Sequence, residues 1–571
     1  MKISRSLTSL AFILLLSGAF AQGRKSAEIT ARDVVIYGGT SAGVAAAIQL
    51  ARLGKSVVII EPGKRVGGMT THGLGQTDIG NKQVIGGISR EFYQNIKKHY
   101  ASPANWTRQD PAEYRDGGQT RTAEGEDAMW TFEPSAAQRV YEAMLEDHNV
   151  EVVYGRRLDR SRGGTAMKGT RIHTIATESG EKYSAEVFID ATYEGDLMAA
   201  AGVSYTVGRE PNSLYGETLN GIQAGKHGTT LRGGRSNNSV HHNFVRGVDP
   251  YTVKGDSASG LLPFIAEGGA GTDGEGDDGV QAYCFRMTLT DHPENRIPFA
   301  KPEGYRDLDY ELLFRNYEAA EGPIEKMYWY GDPLVPWINS EMPNRKTDTN
   351  NQKGFSTDFI GQNYAYPDGS YAEREAIVDA HRRYQQGLMW TLAYHPRTPE
   401  KVRDAVSKWG ICKDEFTDNG GWPEALYVRE ARRMVSDYVM TQHHCEGKTV
   451  VSDPVGMAAY GMDSHHVKRY VDENGHVRNE GNVEASVPGP YPVSYQSIVP
   501  KDDECTNLIV PVCLSASHIA FGSIRMEPVF MILGQSAAMI AAMAIDTERD
   551  VQALDYAVLK RELTEVGQIL E

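Results

Sequence analysis

Two short stretches of this chain carry the side chains best suited to chemistry. In residues 461–466, Asp463, Ser464, His465 and His466 follow one another. Histidine titrates near neutral pH, so one of the pair can take a hydroxyl proton while a hydride leaves the same carbon. Adjacent side chains diverge, so only one of the two is expected to reach a substrate. That divergence, with no carboxylate cluster beside them, argues against a metal site. In residues 427–434, Arg429, Arg432 and Arg433 offer guanidinium forks for a carboxylate or for developing negative charge, with Glu430 and Asp437 as competing partners. The stretch reads as helical or turn-like. Arg525 precedes a helix-forming run and is given the same charge-stabilising work. His518 and Glu217 stand behind these as further proton acceptors, Glu217 bordering the site.

Side chains so far apart in the chain need a scaffold, and it begins at residues 33–61. Four apolar residues run into Gly38, Gly39, Thr40, Ser41, Ala42 and Gly43, and a helical pattern follows. This reads as strand, tight turn and helix. Gly38 permits the turn and Gly43 lets the helix pack close to the strand. The helix N-terminus offers N–H groups and a positive dipole end to a pyrophosphate. Thr40 holds the place of the second glycine in G-x-G-x-x-G, and its small hydroxyl can tolerate or bond a phosphate. A second apolar run, residues 57–60, ends in Glu61, placed for adenosine ribose hydroxyls. Gly67 and Gly68, followed by Met69, lie just past that acid. A flavin's larger arm needs a loop free of side chains there, which points to FAD rather than NAD. His72 reads as a surface-loop residue, with contact to the ring or covalent attachment as the alternatives.

Further along, a helix is expected over 134–148 and a strand over 150–154. A hairpin follows at 172–177 and 182–185, then a separate strand over 187–192 that runs into Tyr193, Glu194, Gly195 and Asp196. An amphipathic helix is expected from about 371 to 394. Near the C-terminus come a strand at 507–512, a loop at 515–525 and an alanine-rich helix from Pro528, whose N-terminus would face the flavin.

Residues 33–62, the glycine doublet, residues 188–196 and the C-terminal block together resemble the FAD-dependent oxidoreductase family with a glutathione-reductase-like FAD domain. The branch is the exported bacterial one, whose members are sometimes labelled xanthan lyase. The resemblance covers nearly the whole mature chain. It implies an α/β fold with a FAD-binding Rossmann domain in two segments, 30–210 and 485–571, around an inserted substrate or cap region, 211–484. It also implies non-covalent FAD held by Gly38, Gly39, Thr40, Ser41, Ala42, Gly43, Glu61, Gly67, Gly68, Met69, Ala191, Thr192, Gly195, Met526 and Phe530, with the backbone around Arg157 against the adenine. No defined substrate comes with it.

Composition narrows the rest. The 571 residues exceed one simple core, and the formal net charge of −16 argues against nucleic-acid or anionic-membrane partners. Lys2 and Arg5, an apolar run over 10–16 and the small-x-small site Ala19-Phe20-Ala21 form a secretion signal cleaved after Ala21. A periplasmic or secreted protein without a stable membrane anchor is expected. The five cysteines include no C-x-x-C pair, so buried free thiols are expected, with Cys445–Cys505 the one bridge worth testing. Residues 268–279 read as a solvated loop, without the spacing of a calcium-binding EF-hand. Tyr, Trp and Asn are dense over 340–400, which suits sugars and equally suits an ordered loop layer. The expected function is hydride transfer between a small hydroxylated or saccharide-like substrate and FAD, with the electron acceptor open. A carbohydrate-active lyase, or a carbohydrate-binding protein without redox turnover, remains the alternative.

Overall fold

A computed structural model describes residues 29–224, 242–320, 322–327, 332 and 334–571. The expected leader at 1–21 lies outside them. The main sheet begins with β1 (Ile29–Tyr37), which leads through the glycine turn into α1 (Ser41–Arg52) and then β2 (Val57–Glu61). Residues 34–37 and 57–60 are buried, as strands covered on both faces must be. The sheet order is β3 (Glu151–Tyr154), β2, β1, β6 (Lys182–Asp190), β5 (Arg171–Ala176), β4 (Thr165–Lys168), with β1 to β3 and β6 mutually parallel. This is an α/β dinucleotide-binding fold of the Rossmann type.

β6 merges what the sequence reads as two strands. Its first residues pair with β5 in the expected hairpin, and its last pair with the C-terminal strand Leu508–Ile509. The long central strand β1 runs beside all of it, from Ile29 opposite Lys182 to Tyr37 opposite Asp190, and so keeps both halves in one register. The C-terminal segment thereby completes a sheet that the N-terminal segment starts. Its helix, Glu527–Thr547, packs on α1, and a Cβ at Gly534 would lie 2.2 Å from the Ala42 carbonyl oxygen. It is the one helix among the described residues long and apolar enough to cross a membrane, yet 89% of its apolar window is buried inside the protein.

A second, antiparallel sheet lies between these segments in sequence. Its order is Arg296–Ile297, Gly410–Cys412, Met287–Thr290, Lys346–Asn351, Trp337–Met342. An aromatic core backs it, together with the helix Tyr371–Tyr394, which opens on a Ser370–Glu373 capping box.

Two local expectations need correction, and the reading of the cysteines holds. Residues 427–434 are not helical: they run extended and end in the strand pair Arg433–Met434 with Tyr205–Thr206. Arg429, Glu430, Arg432 and Arg433 each take a different buried partner, which a single helix face could not supply. Residues 515–525 contain the helix His518–Ile524, N-capped by Ser517. Cys445 and Cys505 are not bridged, and all five cysteines are buried free thiols.

Candidate functional site

Gly38 takes φ +100°, and its N–H donates to the Ile60 carbonyl at 2.9 Å, closing the turn against the end of β2. A Cβ at Gly43 would lie 2.0 Å from the Gly38 carbonyl oxygen, so a side chain there would push α1 off the turn. The Thr40 hydroxyl donates to the Ala191 carbonyl at 2.6 Å, and its oxygen caps α1 by accepting from the Gly43 N–H at 3.4 Å. Its proton is thus used within the protein. Glu61 accepts from the N–H groups of Gly39 (2.6 Å) and Gly63 (2.5 Å); burial outweighs both bonds and pushes its carboxyl up to about 7.

The neighbouring loops close round this turn. The Gly67 N–H donates to the Gly39 carbonyl at 2.7 Å, and Gly67 and Gly68 both take positive φ. The Ala191 N–H donates to the Tyr37 carbonyl, and Thr192 accepts from the Gly195 N–H at 3.0 Å. Arg157 lies further out, its guanidinium on Glu375 at 2.6 Å. His72 is not a surface residue: it is 6% exposed with Nδ1 2.8 Å from the Gly68 carbonyl, and burial lowers its pKa.

Sequence reasoning missed the group that joins these loops. Glu527, at the start of the long C-terminal helix, accepts from the Ser41 hydroxyl and the Tyr193 hydroxyl, each at 2.5 Å. The Tyr193 oxygen in turn accepts from the Met69 N–H at 2.9 Å. One carboxyl therefore ties the turn before α1, the glycine-doublet loop and the segment after β6. Burial pushes it up to about 7. An acid placed directly before the helix-opening Pro528 was the available signal.

Glu527 lines a small pocket whose wall also includes Tyr193, Phe521, Phe530, Tyr427, Arg429 and Arg525. Met526, the residue before Glu527, is buried without lining it. Arg525 pairs with Asp463 at 3.2 Å and donates to the Tyr427 hydroxyl at 3.1 Å. Asp463 lies 3.4 Å from Nε2 of His465, whose Nδ1 is 2.8 Å from Asp358. Asp358 completes the line by pairing with Arg429 at 3.0 Å. Burial opposes ionisation of Asp463, but His465 first and Arg525 next outweigh it and hold its carboxyl at about 2. Asp358, which carries no local sequence signal, is lowered further by Arg429 and His465 against the same penalty.

The other expected residues stand apart from the cavity. His466 is buried away from His465, and that burial lowers its pKa strongly. Arg432 pairs with Asp196 and Asp368, and Arg433 with Glu210 and Glu430. Glu217 does not line the cavity; it accepts from the Ser517 hydroxyl at 2.6 Å and so holds the cap of the next helix. His518 bonds Glu430 at 2.7 Å and Ser464 at 2.9 Å, and is 2% exposed.

These residues fit a flavin dinucleotide. The glycines pack so closely that a Cβ would strike the protein itself, which leaves bare backbone at the turn before a helix N-terminus, and an aromatic-walled pocket adjoins it. A family model described as "FAD dependent oxidoreductase" matches residues 33–563. No curated protein matches the chain. Among solved structures, the anhydrotetracycline hydroxylase OxyS from Streptomyces rimosus is 11% identical over 32% of this chain and 36% of its own, with a TM-score of 0.22. THI4 from Thermovibrio ammonificans is 16% identical over 32% and 66%, with a TM-score of 0.23. An L-amino acid deaminase from Proteus vulgaris is 18% identical over 34% and 54%, with a TM-score of 0.23. The chain thus spans less than two thirds of each of these.

Proposed function

The chain belongs to the FAD dependent oxidoreductase family and uses FAD, and from that membership we propose that it removes a hydride from a small hydroxylated or saccharide-like substrate. When bound, FAD supplies the two-electron acceptor. The Gly38–Gly43 turn, Glu61 and the Gly67–Gly68 doublet would hold its nucleotide arm, and Tyr193 and Phe530 would wall its ring. The domain division at 30–210, 211–484 and 485–571 belongs to the same proposal.

The observation that carries this reading is the Asp358–His465–Asp463 line ending on Arg525 at the cavity wall. Asp358 lies on Nδ1 and Asp463 on Nε2, and His465 itself does not line the cavity, so it would take a substrate proton through Nε2 only where substrate displaces Asp463. His466 has no such path. Export to the periplasm or beyond is part of the proposal and rests on the leader pattern at residues 1–21.

The test is anaerobic stopped-flow bleaching of the holoenzyme with hydroxylated compounds. His465→Asn should slow flavin reduction by about 100-fold to 10,000-fold, the usual contribution of a positioned base. His466→Asn should stay near the parent rate. Unslowed reduction in His465→Asn would overturn His465 as the base. A tightly bound flavin that no carbinol bleaches would favour the lyase or carbohydrate-binding alternative.

A further inference from the structure

Arg429 and Arg525 line the cavity while 2% and 4% exposed, and the Nε–H of each has no hydrogen-bond partner. Their terminal nitrogens are engaged: Arg429 on Asp358 and the Ala282 carbonyl, Arg525 on Asp463 and Tyr427. Both guanidiniums stand by the Tyr427 ring, at 4.7 and 6.0 Å from its centroid, with Arg286 at 5.7 Å. Arg286 is fixed from behind by Asp348 at 2.6 Å. Three buried cations therefore converge on one aromatic ring, each anchored by a carboxylate on another element.

The acids on the cavity wall are already occupied. Glu430 bonds His518 and Gln281 through one oxygen and has its other 2.7 Å from Arg433 outside hydrogen-bond geometry, and Glu527 serves Ser41 and Tyr193. Asp78, near Arg286, is pushed toward its neutral form by burial, with Asp463 and Asp348 adding to the effect against Arg286. A cationic donor buried without an acceptor is costly, and two on one wall call for an acceptor that arrives from outside.

We propose that Arg429 and Arg525 form a carboxylate-binding subsite, so that the substrate is an acid as well as an alcohol: a hydroxy acid or an acidic saccharide. This rests on the reading of the cavity as the place where substrate meets cofactor. A neutral sugar would leave both Nε–H groups facing weaker acceptors.

The probe is malonate, a dicarboxylate without a carbinol, titrated into the FAD holoenzyme and followed by the flavin absorbance spectrum, with malonamide as the neutral control. Malonate should perturb the spectrum saturably, with malonamide at least about tenfold weaker, as expected for a charge-assisted bond. Arg429→Gln and Arg525→Gln should each raise the malonate Kd by about tenfold or more. Arg397→Gln, a half-exposed arginine paired with Glu311 and Glu318, should leave it unchanged. Equal binding of malonate and malonamide by the parent would overturn the subsite without any variant. So would arginine variants that release FAD or shift its potential at unchanged malonate Kd, because the guanidiniums would then serve the flavin's own edge. Bleaching by a neutral carbinol that malonate cannot inhibit would sink the acid requirement and leave the redox reading standing. Malonate binding through the arginines without bleaching by any carbinol would support the subsite and sink the hydroxyl-oxidation reading.

Discussion

The two ends of this site are held by different means. At the nucleotide end, backbone makes the surface: positive-φ glycines, a helix N-terminus, and N–H groups aimed at Glu61. At the cavity end, side chains make it. Asp358, Arg429, Asp463, His465 and Arg525 come from segments scattered over about 170 residues, yet they form one line of paired groups, with the Arg286–Asp348 pair standing separately. Backbone recognition depends on local conformation, which sets where the N–H groups and the helix dipole point. Ion-pair recognition depends on every partner being present, because each buried charge left alone is expensive.

The largest expected effect tests the second half of that contrast. Asp358→Asn leaves both Arg429 and His465 without their shared counter-charge, and should lower stability by about 3–5 kcal/mol in urea unfolding. FAD affinity per folded molecule should stay near the parent value, since no nucleotide-end residue contacts Asp358. Loss of FAD at unchanged stability would show that the two ends are not separable.

A smaller effect probes the carboxyl that joins them. Glu527 is pushed up to about 7 in the folded protein from an ordinary value of 4.5. The folded state therefore holds a proton that the unfolded state has released between those values. Its contribution to stability is full below about 4.5 and is lost as pH rises through about 7, on the order of 3 kcal/mol for a shift of this size. Glu527→Gln keeps a polar partner for Ser41 and Tyr193 but cannot ionise. Its thermal midpoint should fall less between pH 5 and 8 than the parent's, and parallel profiles would rule out this titration. Glu61, also near 7, contributes with the same sign and remains in the variant.

The smallest of the three returns to the backbone end. Gly43→Ala places a methyl where the Gly38 carbonyl stands, and should cost about 1–3 kcal/mol with weakened FAD binding as α1 shifts. Parent-like FAD affinity in apoprotein titration would show that the cradle tolerates that shift.

Local chemistry made the cradle readable. Gly38, Gly43, Glu61 and the Gly67–Gly68 doublet lie within about thirty residues, where turn conformation and strand periodicity act over a few bonds. The same locality hid the partner of the Thr40 hydroxyl, the Ala191 carbonyl, which is remote in sequence. It misled over residues 427–434, where charges at helix-like spacing run extended to reach separate buried partners.

The sequence alone determined the strand–turn–helix start and the glycine doublet, since each depends on residue type and short spacing. The tertiary structure decided which titratable groups meet. It set Asp358 against His465 and Arg429, drew Glu527 to Ser41 and Tyr193, and buried His466 away from the cavity. Those pairings span from about 70 to nearly 490 residues of chain, and the Glu527 pairs follow from how the C-terminal segment returns to β6 and α1. No local propensity encodes such a return; it is selected by the burial and charge pairing of the whole fold.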